Sequence, residues 1–244
     1  MAGYFPGSFY AEITDNAALT LDASARWALR FFVYPDSSLS DPAFGYIYSH
    51  GQPLNFEPAL NIIKLGTTNT IRVIVDWAGG NLFDSTTAIS LNDDEWNTLI
   101  VAYDGTNLRV AINGTLDTGS PPALPDIDPS GNARIGYSVV GGTRNFPGAI
   151  AHAAKYDRNF GTTELTNFSN VPISPEFVLN GQAWHIPFFT DQVWDMRSVL
   201  TVTPQGMSWV PHGPFIYPAR PYNSRGSGVV PVATERSYRY YREV

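Results

Sequence analysis

The chain has 244 residues, a formal net charge of −7, 14% aromatic residues, 21 glycines, 19 prolines and no cysteine. Without cysteine there is neither disulfide stapling nor a thiolate metal site, so stability must come from an ordinary buried core, which this length permits. The start, MAGYFPGSFYAEITDN, lacks the basic opening and unbroken apolar run of a signal peptide, and no stretch approaches 18 consecutive apolar residues; the expectation is a soluble protein that is not exported by the general secretory route.

Charge is unevenly placed. Residues 216–244 hold Arg220, Arg225, Arg236, Arg239 and Arg242 against Glu235 and Glu243, a balance of +3 that leaves −10 for residues 1–215. An acidic body repels phosphate backbones and anionic lipid, so neither nucleic acid nor membrane is expected as a partner.

Strand signals begin with residues 17–21 (AALTL) and 27–34 (WALRFFVY), the latter placing Trp27, Leu29, Phe31 and Val33 on one face and Ala28, Arg30, Phe32 and Tyr34 on the other. Runs at 44–48, 60–65, 71–77 and 88–91 follow at regular spacing, each closed by Gly, Asn or Asp. Next come 98–103 and 108–112, bridged by Asp104-Gly105-Thr106-Asn107 and closed by Asn113-Gly114, turn residues that tolerate positive φ. Even strand spacing without a 3.6-residue period predicts an all-β antiparallel sandwich. The single predicted helix is a short one over 162–168 (TTELTNF), with Thr162 as its cap.

The order Trp96-x-x-Leu99 to Tyr103-Asp104-Gly105, Leu108-x-Val110-x-Ile112-Asn113-Gly114, Arg134-Ile135-Gly136, Gly148-Ala149-Ile150 and Lys155-Tyr156-Asp157-Arg158 resembles the concanavalin A-like, laminin G-like jelly-roll domain over about residues 9–170. Many members carry an acidic residue after the Gly-x-Ile of the closing strand; here Ala151 and His152 stand there. The resemblance implies a two-sheet sandwich over 1–172 that serves for binding or scaffolding more often than for catalysis. A second resemblance, carried by Ala183-Trp184-His185-Ile186-Pro187-Phe188 and His212-Gly213-Pro214, is to the tryptophan-proline and His-Pro appendage that follows this jelly roll in phage and environmental bacterial proteins. It implies a β appendage over 173–217, packed back on the sandwich with Trp184, Trp194 and Trp209 as anchors, and leaves 218–244 as an extended arm.

Catalytic patterns are missing. Retaining glycosidases of this fold place Glu-x-Asp-x-Glu on one strand face, whereas Glu12, Glu57, Glu95, Glu164 and Glu176 are isolated and Asp93-Asp94-Glu95 reads as a solvated turn. His50, His152, His185 and His212 are scattered, and no serine sits in a Gly-x-Ser-x-Gly elbow. The nearest approach to a calcium loop is Asp126 with Asp128, but its twelfth position is Tyr137, and an Asx-turn explains it. Asn113-Gly114-Thr115 has the form of a glycosylation acceptor, which the hairpin turn also explains. No enzyme activity and no cofactor are expected, calcium on Asp126 and Asp128 being the one metal alternative.

Aromatic residues supply the remaining candidates. Trp27, Phe31, Trp96, Leu99, Val101, Val110, Ile112, Ile135 and Ile150 are assigned to the core, while Tyr46, Tyr48, Trp77 and Tyr137 lie where a glycan could stack. The arm carries Arg220, Tyr222, Arg225, Arg236, Tyr238, Arg239, Tyr240, Tyr241 and Arg242, residue types that anchor interfaces. It has no periodic apolar face, so in isolation it is expected to be extended and to need a partner. Arm and resemblance together suggest a structural protein on a bacteriophage-like virion surface, a capsid decoration that contacts the major capsid protein and itself. The alternative is a carbohydrate-binding module or adhesin that uses the sandwich loops.

Overall fold

The computed structural model describes residues 2–4, 10–22, 25–39, 43–51, 59–77, 80–119, 131–139, 144–171, 175, 180–188, 195–197, 199–205 and 208–210. Its strands are β1 (Ala2–Tyr4), β2 (Tyr10–Ile13), β3 (Trp27–Pro35), β4 (Phe44–His50), β5 (Ala59–Leu65), β6 (Thr70–Trp77), β7 (Gly80–Ser90), β8 (Asn97–Tyr103), β9 (Leu108–Ile112), β10 (Thr115–Gly119), β11 (Ala133–Ile135), β12 (Gly148–Tyr156), β13 (Gln182–Pro187), β14 (Val202–Gln205) and β15 (Ser208–Val210), with one α-helix, α1 (Thr162–Asn170). They form two antiparallel sheets, as the strand spacing predicts. The eight-stranded sheet runs β10-β9-β8-β3-β12-β1-β15, with β13 also on β12; the seven-stranded sheet runs β14-β2-β11-β4-β5-β6-β7.

The core lies between the sheets and follows strand alternation. From one side come Trp27, Leu29, Phe31 and Val33 of β3, Leu99 and Val101 of β8, and Val110 and Ile112 of β9. From the other come Ala11, Ile13, Leu60, Ile62, Ile71, Val73, Val75 and Ile135. Burying one such side chain stabilises the fold by about 1.5–3 kcal/mol. The hairpin turns behave as their residues require: Asn113 and Gly114 both have positive φ (48° and 86°), and the Asn113 side chain accepts from Thr98 N at 3.0 Å while donating to Asn97 Oδ1 at 2.8 Å. Asp104 Oδ1 caps the other turn through the amides of Thr106 and Asn107.

Four expectations are corrected. Residues 17–21 are not a strand: Asn16 Oδ1 accepts from Ala18 N at 2.8 Å and starts a 3-10 turn over Ala17–Leu19. Two carbonyls of that segment, those of Ala18 and Thr20, take bonds from Lys155 Nζ, an inward-facing lysine. The cap of α1 is Gly161, not Thr162, and it offers no side-chain bond. Trp96 is outside the inter-sheet core, half-buried against Phe32 in a separate cluster. The histidines are not all apart: His152 Nδ1 and His185 Nε2 meet at 3.0 Å.

Residues of the expected appendage are woven into the sandwich. β13 pairs with β12, β14 with β2 and β15 with β1. β12 changes partner on that edge, from β1 at Ala149 and Ile150 to β13 from His152 onward, and the bulge between them turns both Ala151 and His152 to the outside. Trp184 is fully buried as an anchor; Trp194 and the side chain of Trp209 lie outside the described residues. After β13, Asp195 accepts from the backbone amides of His185, Arg197, Val199 and Leu200, so one buried carboxylate organises the connection to β14.

Candidate functional site

The outer faces of the two sheets differ. On the eight-stranded sheet α1 packs across β8, β9 and β10, its Leu165 joining a buried cluster with Ala28, Ile100, Ala102, Ala111, Ala154, Tyr156 and Phe160. Among the described elements no helix covers the seven-stranded sheet. Because Ala11, Ala133, Tyr48, Leu60 and Val73 point inward, the residue after each points out. Register aligns them across all seven strands: Thr203, Glu12, Arg134, Ser49, Asn61, Ile74 and the position of Asp84. A parallel row holds Tyr46, Ile63, Arg72 and the position of Thr86.

Arg134 is the hub of this face. Its Nε lies 3.3 Å from Glu12 Oε2, its Nη1 donates to Ser138 O at 3.1 Å, and its guanidinium sits 4.4 Å from the centroid of the Tyr10 ring. Tyr10 in turn stacks on Tyr137, with centroids 5.5 Å apart and planes 18° apart. Such cation–π contacts contribute about 0.5–1 kcal/mol at part-exposed sites, enough to fix the rings without closing the face. Toward the sheet centre the turn after β11 folds over the strands: Val139 N donates to Ser49 Oγ at 3.2 Å, and Ser49 Oγ donates to Asn61 Oδ1 at 2.7 Å. Ser49 and Asn61 are therefore buried, while Tyr10, Glu12 and Arg134 are half-buried and Thr203 and Gln205 exposed.

Two of the four predicted glycan residues lie on this face. Tyr46 lies opposite Ile63 on the outer face, and Tyr137 stacks on Tyr10; each is 8% exposed. Tyr48 is corrected: the bulge at Ile47 turns it into the core, 6.0 Å from the Phe31 ring, where burial pushes its hydroxyl pKa far up. Trp77 ends β6, and its side chain lies outside the described residues, as do Asp126, Asp128 and the whole arm from Arg220 to Arg242. Tyr10, Glu12 and Arg134 were missed. Their signal is short but present: YAEI and ARI alternate outward and inward, in patterns that end in aliphatic residues of the core.

On the other sheet lies a buried polar cluster. Arg30 Nη2 donates to the carbonyls of Phe168 and Val171 at 3.2 and 3.4 Å, bonding the negative end of the α1 dipole. Desolvation lowers the Arg30 pKa, partly offset by Tyr156. The His185 imidazole is driven down to about 3 by burial and then by the charge of Arg30, so it faces His152 as a neutral ring. Among the described residues no group of three His, Cys, Asp or Glu is placed to hold a metal ion.

Comparison with known proteins adds the following. A family model, the laminin G type of the concanavalin A-like lectin/glucanases superfamily, matches residues 6–166. No curated protein matches the chain by sequence. Among solved structures, a Bacteroides ovatus protein to which carbohydrate binding is ascribed superposes with a TM-score of 0.60 at 15% identity, covering 85% of this chain and 58% of that one. A heptameric SAP-like pentraxin from Limulus polyphemus gives 0.54 at 16% identity, over 84% and 95% of the two chains. The CBM40 module of the Ruminococcus gnavus IT-sialidase, bound to α2,3-sialyllactose, gives 0.51 at 17% identity, over 68% and 93%.

Proposed function

Since the chain belongs to the concanavalin A-like lectin/glucanases superfamily, we propose that it is a non-catalytic carbohydrate-binding module whose glycan rests on the outer face of the seven-stranded sheet. The observation that carries this reading is the outward row of Thr203, Glu12 and Arg134, exposed or half-buried, flanked by the stacked Tyr10 and Tyr137. Rings fixed beside paired charged groups and hydroxyls are what a sugar requires: an apolar surface for its C–H faces and directed partners for its hydroxyls. The carbohydrate-binding structures among its fold relatives support the same reading.

The alternative drawn from the sequence is thus favoured over its main expectation. A decoration role on a virion rests on arm residues that lie outside the described structure, and no comparison supports it. The test is a glycan array followed by calorimetry with the wild-type chain and with Tyr10→Ala and Arg134→Ala. Binding of a defined glycan, reduced at least about tenfold in each variant (about 1.4 kcal/mol), is the expected result. Unchanged affinity in both variants would remove the site from this face, and the lack of any glycan ligand would overturn the reading.

A further inference from the structure

A second aromatic surface lies on the opposite sheet. Phe32 and Trp96 stack in nearly parallel planes, with centroids 5.0 Å apart and 4° between them, and Tyr34 meets the indole at 5.5 Å and 53°. Phe32 is buried, whereas Trp96 and Tyr34 remain part exposed. The three rings pack with Ala149 and Ala151, apart from the inter-sheet core and from the residues beneath α1. Phe32 occupies one face of the indole, so the rest of that ring and Tyr34 form a wedge.

The backbone around the wedge is held in place from both sides. Asp94 N donates to Pro35 O at 2.9 Å, and the two Asp94 carboxylate oxygens take Ser37 N at 3.0 Å and Ser37 Oγ at 2.5 Å. The Asn97 amide donates to the carbonyls of Asn92 and Glu95, while its oxygen accepts from Asn92 N. Asp94 itself holds a left-handed φ of 56°. Trp96 therefore sits on a turn that need not be ordered when a ligand arrives, which removes a usual cost of binding. The rim is acidic: the Asp94 N bond to Pro35 O brings Asp94 beside the Tyr34-Pro35-Asp36 segment, where Asp36 Oδ1 accepts from Ser38 N and Ser38 Oγ, and both carboxylate charges add to desolvation in raising the Tyr34 hydroxyl pKa.

We propose that this wedge is a second ligand platform, on which a neutral pyranose stacks against Trp96 while Tyr34, Asp36 and Asp94 take part in hydrogen bonds with its hydroxyls. The proposal rests on the carbohydrate-binding reading and adds a site on the other sheet. An indole with one face already covered by Phe32 offers the flat apolar surface that pyranose C–H groups pack on. Carboxylates accept strong bonds from sugar hydroxyls, and their negative charge repels sialic and uronic acids. The ligand class is accordingly neutral.

The full chain is titrated with neutral tetrasaccharides of glucose, galactose and mannose, followed by calorimetry and tryptophan fluorescence. α2,3-Sialyllactose serves as an acidic probe and tetramethylammonium as a cationic one. Saturable binding of a neutral tetrasaccharide, weakened about tenfold in Trp96→Ala and several-fold in Tyr34→Phe, is expected. Tyr34→Phe keeps the ring and removes only the hydroxyl, so it serves as the readout should Trp96→Ala fold poorly. Saccharide binding that neither variant changes leaves the first face as a binding site and refutes the wedge. Preferential, Trp96-dependent binding of sialyllactose or tetramethylammonium refutes the ligand class. A wild-type chain that binds no saccharide overturns both the wedge and the reading on which it rests.

Discussion

The buried histidine pair makes the fold acid-sensitive in a way that one substitution can isolate. His185 has its pKa lowered from 6.5 to about 3, first by burial and then by Arg30. A base whose folded pKa is depressed supports folding fully above its unfolded pKa, and that support is lost as pH falls toward the folded value. The window runs from about pH 6.5 down to about 3, and each unit within it is worth about 1.4 kcal/mol, so the full descent withdraws on the order of 5 kcal/mol. The groups around the imidazole do not relieve this. His152 lies 3.0 Å away on β12, Arg30 of β3 adds positive charge, and Asp195 is engaged with backbone amides, His185 N among them. His185→Gln keeps a polar side chain and removes the titration. Denaturant unfolding at pH 7.5, 5.5 and 4.5 should show wild type losing about 1.4 kcal/mol more per unit than the variant below pH 6; carboxylates elsewhere contribute equally to both proteins. Parallel pH profiles would refute the reasoning.

Further outcomes follow from burial and backbone geometry. Trp184→Ala should cost about 3–5 kcal/mol in chemical denaturation, and Trp96→Ala, half-buried outside the core, about 1–2 kcal/mol; equal losses would contradict the assignment of Trp96 to the outer surface. Gly148→Ala should prevent folding or lower the melting temperature sharply, because its Cβ would lie 2.0 Å from Tyr34 O; a near-wild-type thermal transition would count against the tight β3–β12 approach. Asn113→Ala, losing two side-chain bonds in a left-handed turn, should cost about 1–2 kcal/mol, measurable by the same unfolding assay. Deleting residues 219–244 should leave the midpoint unchanged, since that segment carries no periodic apolar face to add to a core.

What the sequence disclosed depended on whether local order was enough. The alternation of WALRFFVY sorted Trp27, Leu29, Phe31 and Val33 inward and Arg30 and Phe32 outward, because an unbroken strand has a strict period of two. Tyr46 and Tyr48 obey the same rule until the bulge at Ile47 separates them, and that bulge is a property of pairing with β5, which the segment cannot reveal. Trp96 was legible but misread: parity counted back from Leu99 and Val101 places it outside. The face around Arg134 draws on β2, β11 and β14, and the histidine pair on β12 and β13; only the topology brings such segments together.

The pairing of β14 with β2 and of β15 with β1 bears on the order of assembly. The N-terminal segment gives one strand to each sheet and so does the segment holding β14 and β15, each pairing with the other and joining early residues to late ones. Contacts so distant along the chain carry the largest loop-closure entropy and form late, so the nearby hairpins should collapse first. Until β14 arrives, β2 presents a bare edge bearing Tyr10 and Glu12, open to pairing with another molecule. Recovery of the glycan binding proposed for the Arg134 face should therefore lag behind burial of the tryptophans during refolding, and the half-zipped species is the one most exposed to aggregation.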